Sequence, residues 1–598
     1  MQPDVFNNET LHVVDYFNGA LQIKNEKVIN DVFTNYVLNK SKVDFNANRS
    51  TADNINKLNQ EINRENKEVK ASKFWMIFFR IIGVALAFVG IIFIVLISLH
   101  HNEKISPIWL SLAIVLPTVG ITIFGLSWLI KKHFITNTQE LQDLQNQWQQ
   151  QFNLAMSQLA NLKSNICWYL TYIIFEQTYP LIEFARYFSE ADYLNWTDWL
   201  KDNVNSTVLY CLSGNVKTNP FIVLKTKSTE MYDHVYTGSR TVMVRRTRVV
   251  NGRTTSYMAP KIVVATITNP APRYWTDTKL FFKSAAAESL DFVNMTAFKN
   301  EKKAEKYFEK NKSTEPMDNP EFDRYFPCER NDEVQFRTLF SPLAQEEMIK
   351  LMKVKNDYKF TKHGMLNIIS SPSFDTIAFN INYNYFTNEY DYEKIKVDFV
   401  ESNKKFFRDI YFMFAPILTI PLYQQYQYRQ PIFEKAQQRL FAAAQNESIV
   451  NTMYDSSNFK HPQSITDNIF KTKRVFANSL YEINEIIAYG YRGSPRMVIV
   501  PVADFEAGIV NVPVTVIDYF SVKKSTHIVN SFIDKNQQDF YSNQNNFTKN
   551  SWTEFQKKLG VSDISKKGNF FSMSIGDKTS LANEDSYKAF LKSFETNA

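Results

Sequence analysis

Glycine is scarce in this chain, 15 residues in 598, and cysteine is scarcer, with three. Neither G-x-x-x-x-G-K-[ST] nor G-x-G-x-x-G occurs, so no glycine-rich loop is present to cradle a nucleotide phosphate. Cys167, Cys211 and Cys328 lie far apart and are odd in number. They give neither a disulfide framework nor the spacing of a zinc site. H-E-x-x-H, G-x-S-x-G and C-x-x-C are missing as well. The eight histidines are dispersed, and none stands three to five residues from another. No catalytic, cofactor-binding or metal-binding residue is therefore expected. A strong charge of one sign is also lacking: 68 basic residues face 61 acidic ones, a net charge of +7. That excess allows a preference for anionic membranes but is not the footprint of a nucleic-acid-binding protein. The first 70 residues are too polar to hold the apolar core of a signal peptide, and none is expected.

What the chain does have is length and apolar content. At 44% hydrophobic and 22% charged it can fold into two or three globular domains. Two runs are apolar throughout. Phe74 to Leu99 is interrupted only by Arg80, and Ile105 to Ile130 is closed by Lys131 and Lys132. Each matches the thickness of a bilayer, where backbone groups must be satisfied internally, so each reads as a transmembrane helix. Trp75, Trp109 and Trp128 stand near the ends, and Gly83 with Ala87 offers a small-residue face to a partner helix. Arg64, Lys67, Lys70 and Lys73 precede the first run, whereas the connecting loop holds only Lys104 beside Glu103. The excess of basic residues on the outer flanks places both termini in the cytoplasm of a multi-pass cell-membrane protein.

Outside the apolar runs the periodicity continues. Ile55, Leu58, Ile62 and Val69 recur at heptad-like spacing. Beyond the second run, Leu141, Leu144, Trp148, Phe152, Ala155, Leu159, Leu162 and Ile166 alternate steps of three and four. The simplest reading is an antiparallel, coiled-coil-like stalk, and self-association through the same seam is the alternative. The first fifty residues read as a helical cap, with Leu11, Val14, Phe17 and Leu21 on one face.

After Pro180 strand signals dominate: 207–212, 221–225, 241–250, 261–268, 279–282 and 376–385. Asn251-Gly252 is a hairpin turn signal. The 241–250 strand has no cleanly apolar face, so the ribbon is expected to project past the core. It carries the candidate anionic lipid or phosphate patch: Arg240, Arg245, Arg246, Arg248 and Arg253, with Lys261 on the return strand. The competing reading is a solvated strand whose charges guard its edge.

Residues Asn319 to Pro342, NPEFDRYFPCERNDEVQFRTLFSP, resemble without a gap the signature of a bacterial membrane family catalogued as domain of unknown function 3137. Pro320, Glu321, Phe322, Tyr325, Phe326, Asp332, Arg337 and Pro342 carry the match, whereas Cys328, Glu329 and Phe336 depart from it. The resemblance covers roughly residues 50 to 420. It implies a coiled segment, two membrane helices and a β-rich domain, and a LemA-type membrane protein as a partner, but no reaction. Read physically, Phe322, Tyr325 and Phe326 form a helical apolar face. Val334 to Leu339 reads as a strand flanked by an Asp332–Arg337 pair, and Pro342 opens a helix.

Beyond Tyr423 two amphipathic helices, 431–454 and 464–488, are expected before strands at 496–503 and 509–519. The Y-x-G-S of Tyr236 to Ser239 recurs at Tyr491 to Ser494, each before a valine-rich strand. From Asn536 a polar tail with short helices is expected.

The expected class is α+β: a two-helix transmembrane hairpin, a coiled-coil-like stalk and a mainly antiparallel β-rich cytoplasmic domain. Its expected parts are a cap (1–50), stalk helices (51–73 and 136–178), membrane helices (74–99 and 105–130), an α+β domain (180–422), an extension (423–535) and the tail (536–598). The functional expectation is a membrane-anchored, non-enzymatic scaffold or binding protein that contacts anionic lipid, a protein partner or its own copies, and not nucleic acid. The alternative is a membrane-bound enzyme with an unrecognised cytoplasmic site.

Overall fold

The computed structural model describes residues 11–99, 107–166, 169–185, 196, 205–250, 253–311, 314–379, 388–426, 442–453, 459–477, 481–531, 563–567 and 570–575. The connecting loop with His100 and His101, the Asn251-Gly252 turn and the tail helices expected at 552–559 and 585–594 lie outside them. The fold is α+β, with two long apolar helices and mainly antiparallel sheet. The chain divides into two compact units, one of residues 29–167 and 382–402 and the other of 1–28, 168–381 and 403–598.

Two helices dominate the first unit. Phe45–Leu99 has 55 residues and Pro107–Gln158 has 52, each about 80 Å long at 1.5 Å per residue. Each apolar run and the heptads beside it form one continuous helix, but the stalk helix expected over 136–178 ends at Gln158: Leu162 lies in a separate short helix, Ala160–Asn165, Ile166 is extended, and Tyr169–Thr178 is a further helix. The pair is antiparallel in one constant register: Gly90 lies against Pro117, Gly83 against Gly120 and Phe124, and Asn48 meets Gln158 near the opposite end. Pro117 does not end its helix, and its ring fills the space left by Gly90.

Every seventh residue of the first helix from Asn48 to Gly90 is buried or half-buried: Asn48, Ile55, Ile62, Val69, Met76, Gly83 and Gly90. The second helix matches it with Gly120, Ser127, Phe134, Leu141, Trp148 and Ala155. A strict seven-residue repeat keeps one face turned toward the partner over the whole length. Where the helices carry charged residues on their outside, this line is mainly aliphatic or aromatic, with Asn48 at its polar end. Where they are apolar throughout, it is glycine and serine, and Ile81, Val84, Phe88, Ile121 and Trp128 point outward, exposed. Only 11% of either apolar stretch is buried. At the polar end the segment around Tyr390 closes the pair. Asn48 donates to the Tyr390 carbonyl at 3.1 Å, and the Tyr390 hydroxyl donates to Asn56 at 3.0 Å.

The second unit holds two antiparallel sheets. The first has eight strands, β1 (Ile182–Phe184), β2 (Ser206–Val216), β3 (Asn219–Val250), β4 (Arg253–Lys283), β5 (Asp291–Asn294), β6 (Cys328–Arg330), β7 (Lys359–His363) and β8 (Leu366–Ser370). Their order is β1-β2-β3-β4-β8-β7-β5-β6. The second has five, β9 (Ile469–Ala477), β10 (Tyr481–Asp504), β11 (Gly508–Ser531), β12 (Asp563–Lys567) and β13 (Phe570–Ile575), in the order β12-β13-β11-β10-β9.

Several expectations are corrected here. The segments 221–225 and 241–250 belong to one 32-residue strand, β3, because exposed and half-buried residues alternate from Met231 to Ser239 and the pairing with β4 runs through Gly238 without a shift. Likewise 261–268 and 279–282 both lie in β4. In place of the helix expected at 464–488, residues 469–477 form β9 and β10 begins at Tyr481: the apolar side chains Ile469, Phe470, Ile483, Ile486 and Ala488 are buried on these paired strands. Pro372–Thr376 is a 3₁₀ turn, so the strand expected from Thr376 does not begin there. Within the expected tail, β12 and β13 are strands that extend the second sheet along β11. The chain after Tyr423 also packs into the same unit. The helix Ala443–Met453 lies on β2, where the Glu447 carboxylate accepts from the Val208 amide at 2.8 Å and pairs with Lys471 at 2.9 Å. Val14, Phe17 and Leu21 of the N-terminal segment are buried, Phe17 stacking on Tyr411 at 5.1 Å.

Candidate functional site

β3 and β4 pair residue for residue from Phe221–Phe282 to Val250–Arg253. Beyond Thr229 neither β2 nor β8 accompanies them, so about 22 residues of β3, some 70 Å at 3.3 Å per residue, continue as a two-stranded ribbon. β10 and β11 form a second long ribbon, paired from Tyr481–Ser531 to Asp504–Gly508. An isolated two-stranded ribbon is marginal in water. Here the two stack face to face.

Alternation decides which faces meet. Val510, Val512, Val514 and Val516 of β11 are buried against Val263 and Ala265 of β4, with Tyr236, Val242, Val498, Val500 and Val502 at the margins. Gly238 permits the close approach: a Cβ there would stand 2.1 Å from the Pro513 carbonyl oxygen. Pro260, Pro270 and Pro272 in β4 and Pro495 and Pro501 in β10 fit strands with free edges, where a missing N–H is tolerated and strand addition is discouraged.

The six predicted basic residues all lie on this arm, and the structure divides them. Lys261 reaches Asp504 at 2.9 Å and Glu506 at 2.8 Å, Arg246 reaches Glu506 at 3.3 Å, and Arg240 donates to the Asn511 carbonyl at 2.9 Å. These three tie the ribbons together. Their hydrogen bonds raise the Lys261 ammonium and hold the Asp504 and Glu506 carboxyls below the usual range. Arg245 donates only to the Ser256 hydroxyl at 3.0 Å, and among the described residues no carboxylate pairs with Arg245, Arg248 or Arg253. The six basic residues thus form two sets, one paired across the ribbons and one without carboxylate partners among the described residues. The acidic turn of the second ribbon was not singled out from sequence. The recurring Y-x-G-S and the alternating valines that follow it were the signal.

The resemblance segment is elsewhere in the unit and forms a corner. Pro320 begins the short helix Pro320–Tyr325, and Pro342 begins Pro342–Val354. Phe322 and Phe326 are buried with Phe292, Phe336, Phe340 and Phe360 in one aromatic cluster. Phe336, one of the departures from the signature, belongs to that cluster, with its ring 4.7 Å from that of Phe340. Glu321 pairs with Lys353 at 2.6 Å, and Lys353 lies over the ring of half-buried Tyr325 at 5.5 Å. The strand expected at Val334–Leu339 is a helix, Glu333–Leu339, because Asp332 caps it by accepting from the Gln335 amide at 2.9 Å. Asp332 thus does not pair with Arg337, which turns to Asp318 and the Pro316 carbonyl. Between these elements Asp323 is buried, accepts from the Met317 amide at 2.7 Å, and is pushed up to about 6 by burial.

Among the described residues, one group of metal-type ligands converges. His12, Asp15 and Glu347 bring ligand atoms within 4.8 Å of one another. The Lys350 ammonium already bridges both carboxylates, at 2.7 Å to Asp15 and 2.9 Å to Glu347. The chain supplies its own cation there. Residues so far apart in sequence gave no motif to find.

No family model, no curated protein and no solved structure matches the chain.

Proposed function

We propose that this chain is a membrane-anchored, non-enzymatic binding protein, with its paired helices crossing the bilayer as a hairpin and its β-rich unit serving as a cytoplasmic docking module. The observation that carries the reading is the change in the helix seam. In water an antiparallel helix pair covers bulky apolar residues, as it does here with Ile55, buried, and Ile62, Val69 and Leu141, half-buried, beside the buried polar residues Glu65, Ser72 and Asn137. In lipid nothing is gained by hiding aliphatic side chains, so small residues line the contact and bulky ones face out. Gly83, Gly90, Gly120 and Ser127 follow that second rule. The change falls between Met76 and Gly83 on one helix and between Phe134 and Ser127 on the other, among Lys73, Arg80, Lys131 and Lys132. Basic residues at that level suit the inner face of a membrane.

On this reading the polar halves of the helices form a coiled-coil-like stalk, and both termini lie in the cytoplasm. The resemblance to the membrane family of unknown function points the same way, and a LemA-type protein or a second copy along the stalk is the partner it suggests. Labelling in intact cells tests the topology. Glu103→Cys should react with a membrane-impermeant maleimide, and Gln150→Cys should react only after permeabilisation. Labelling at position 150 in intact cells, or recovery of the chain in the soluble fraction, would overturn the proposal.

A further inference from the structure

We infer that the free end of the twin-ribbon arm docks on an anionic bilayer surface, with Phe505 and Ile509 entering the headgroup layer beside Arg245, Arg248 and Arg253. This rests on the membrane-anchored reading and names what the docking module meets.

The end of the arm has an unusual surface. Phe505 is 104% exposed and Ile509 is 77% exposed, and Val249 of the first ribbon is 69% exposed. Single exposed apolar residues need no explanation, but these crown the turn of one ribbon and the tip of the other. Phe505 is also presented on an ordered turn. The Asp504 carboxylate accepts from the amides of Glu506 and Ala507 at 2.9 and 3.0 Å, and Gly508 takes a left-handed conformation, φ 73°, to close the hairpin. A rigid aromatic held clear of its own protein loses little conformational freedom on insertion.

Charge selects the occupant. The two carboxylates at this end, Asp504 and Glu506, are already engaged by Lys261 and Arg246. Arg245, Arg248 and Arg253 have no carboxylate partner among the described residues, so the uncompensated charge at the tip is positive. Apolar residues flanked by arginines suit the boundary between acyl chains and acidic headgroups. A protein strand is a poorer fit, because prolines interrupt the β4 and β10 edges and Arg240, Arg245, Arg246 and Arg248 charge the β3 edge.

The test uses the full chain in phosphatidylcholine nanodiscs, floated with vesicles of phosphatidylcholine or with vesicles containing about 30% phosphatidylserine. The wild type should float only with the acidic vesicles. Each arginine near an anionic surface is worth about fivefold. Arg245→Gln, Arg248→Gln and Arg253→Gln together should therefore lower capture on the order of a hundredfold. Phe505→Ser with Ile509→Ser should lower it at least about tenfold, and these two side chains are exposed enough that the fold is untouched. Equal capture by neutral vesicles, no capture, or variants equal to the wild type would overturn the inference. Nanodiscs that cluster with one another without vesicles would do the same, showing that arms bind arms. Entry into nanodiscs reads the hairpin and vesicle capture reads the tip, so the two readings fail separately.

Discussion

Replacing Gly238 by alanine should separate the two ribbons. The added Cβ would stand 2.1 Å from the Pro513 carbonyl oxygen and 2.9 Å from both its carbonyl carbon and Val514 Cγ2, where ordinary contact begins near 3.4 Å. The obstacle is backbone, so no rotamer change relieves it. The ribbons must part by roughly 1 Å, and a gap of that size forfeits a quarter to a half of each dispersion contact along the strip. Val263, Ala265, Val510, Val512 and Val514 share that loss. Overpacking of this kind costs about 1–3 kcal/mol, which is about 5- to 150-fold in the opening equilibrium. The second ribbon alone is marginal, so its amides should lose protection together. Hydrogen exchange of the full chain, read by mass spectrometry over 498–516, is the assay, with Ser239→Ala on the exposed face as control. Exchange in Gly238→Ala that stays within about threefold of the control would refute the stacking argument.

Two further outcomes follow from the same geometry. Burial pushes Asp323 up to about 6, above the ordinary value of about 4 that it has when unfolded. The folded state therefore holds the extra proton between those values, and the β-rich unit should gain stability, on the order of 1–3 kcal/mol, as pH falls from about 7 to about 5. Asp323→Asn should flatten that slope in thermal melts, and an unchanged slope would assign it to other groups. Gly120→Leu would bring a Cβ to 2.7 Å from the Ala87 amide nitrogen and 2.8 Å from the Gly83 carbonyl oxygen. The helix pair should open at a cost of about 1–3 kcal/mol, seen as a longer distance between spin labels at Val84 and Ile121. An unchanged distance would contradict backbone contact at the crossing.

Local periodicity carried some elements all the way to structure. The heptad positions Leu141, Trp148 and Ala155 fall on the buried or half-buried line of their helix, because a helix repeats its face at a spacing that neighbouring residues alone reveal. Pro342 began a helix for an equally local reason, a fixed φ and an N–H that the first turn does not need. Asp332 shows the limit of such reading. Val334 to Leu339 has β-branched and aromatic residues, yet one side-chain cap at Asp332 turned the segment helical, and propensity yields to a cap when the aromatic cluster needs Phe336 and Leu339 on one face.

From the sequence alone came the two apolar helices, the line along which they meet, the hairpin around Asn251-Gly252 and the positions of the basic residues on it. Each depends on spacing along the chain, and spacing is visible without coordinates. Only the tertiary structure decided that a second ribbon, more than two hundred residues away, lies on the first, so that Asp504 and Glu506 neutralise Lys261 and Arg246 and leave Arg245, Arg248 and Arg253 uncompensated. A strand's charges are free or paired according to what packs on it, and pairing between distant segments leaves no periodic trace in either one.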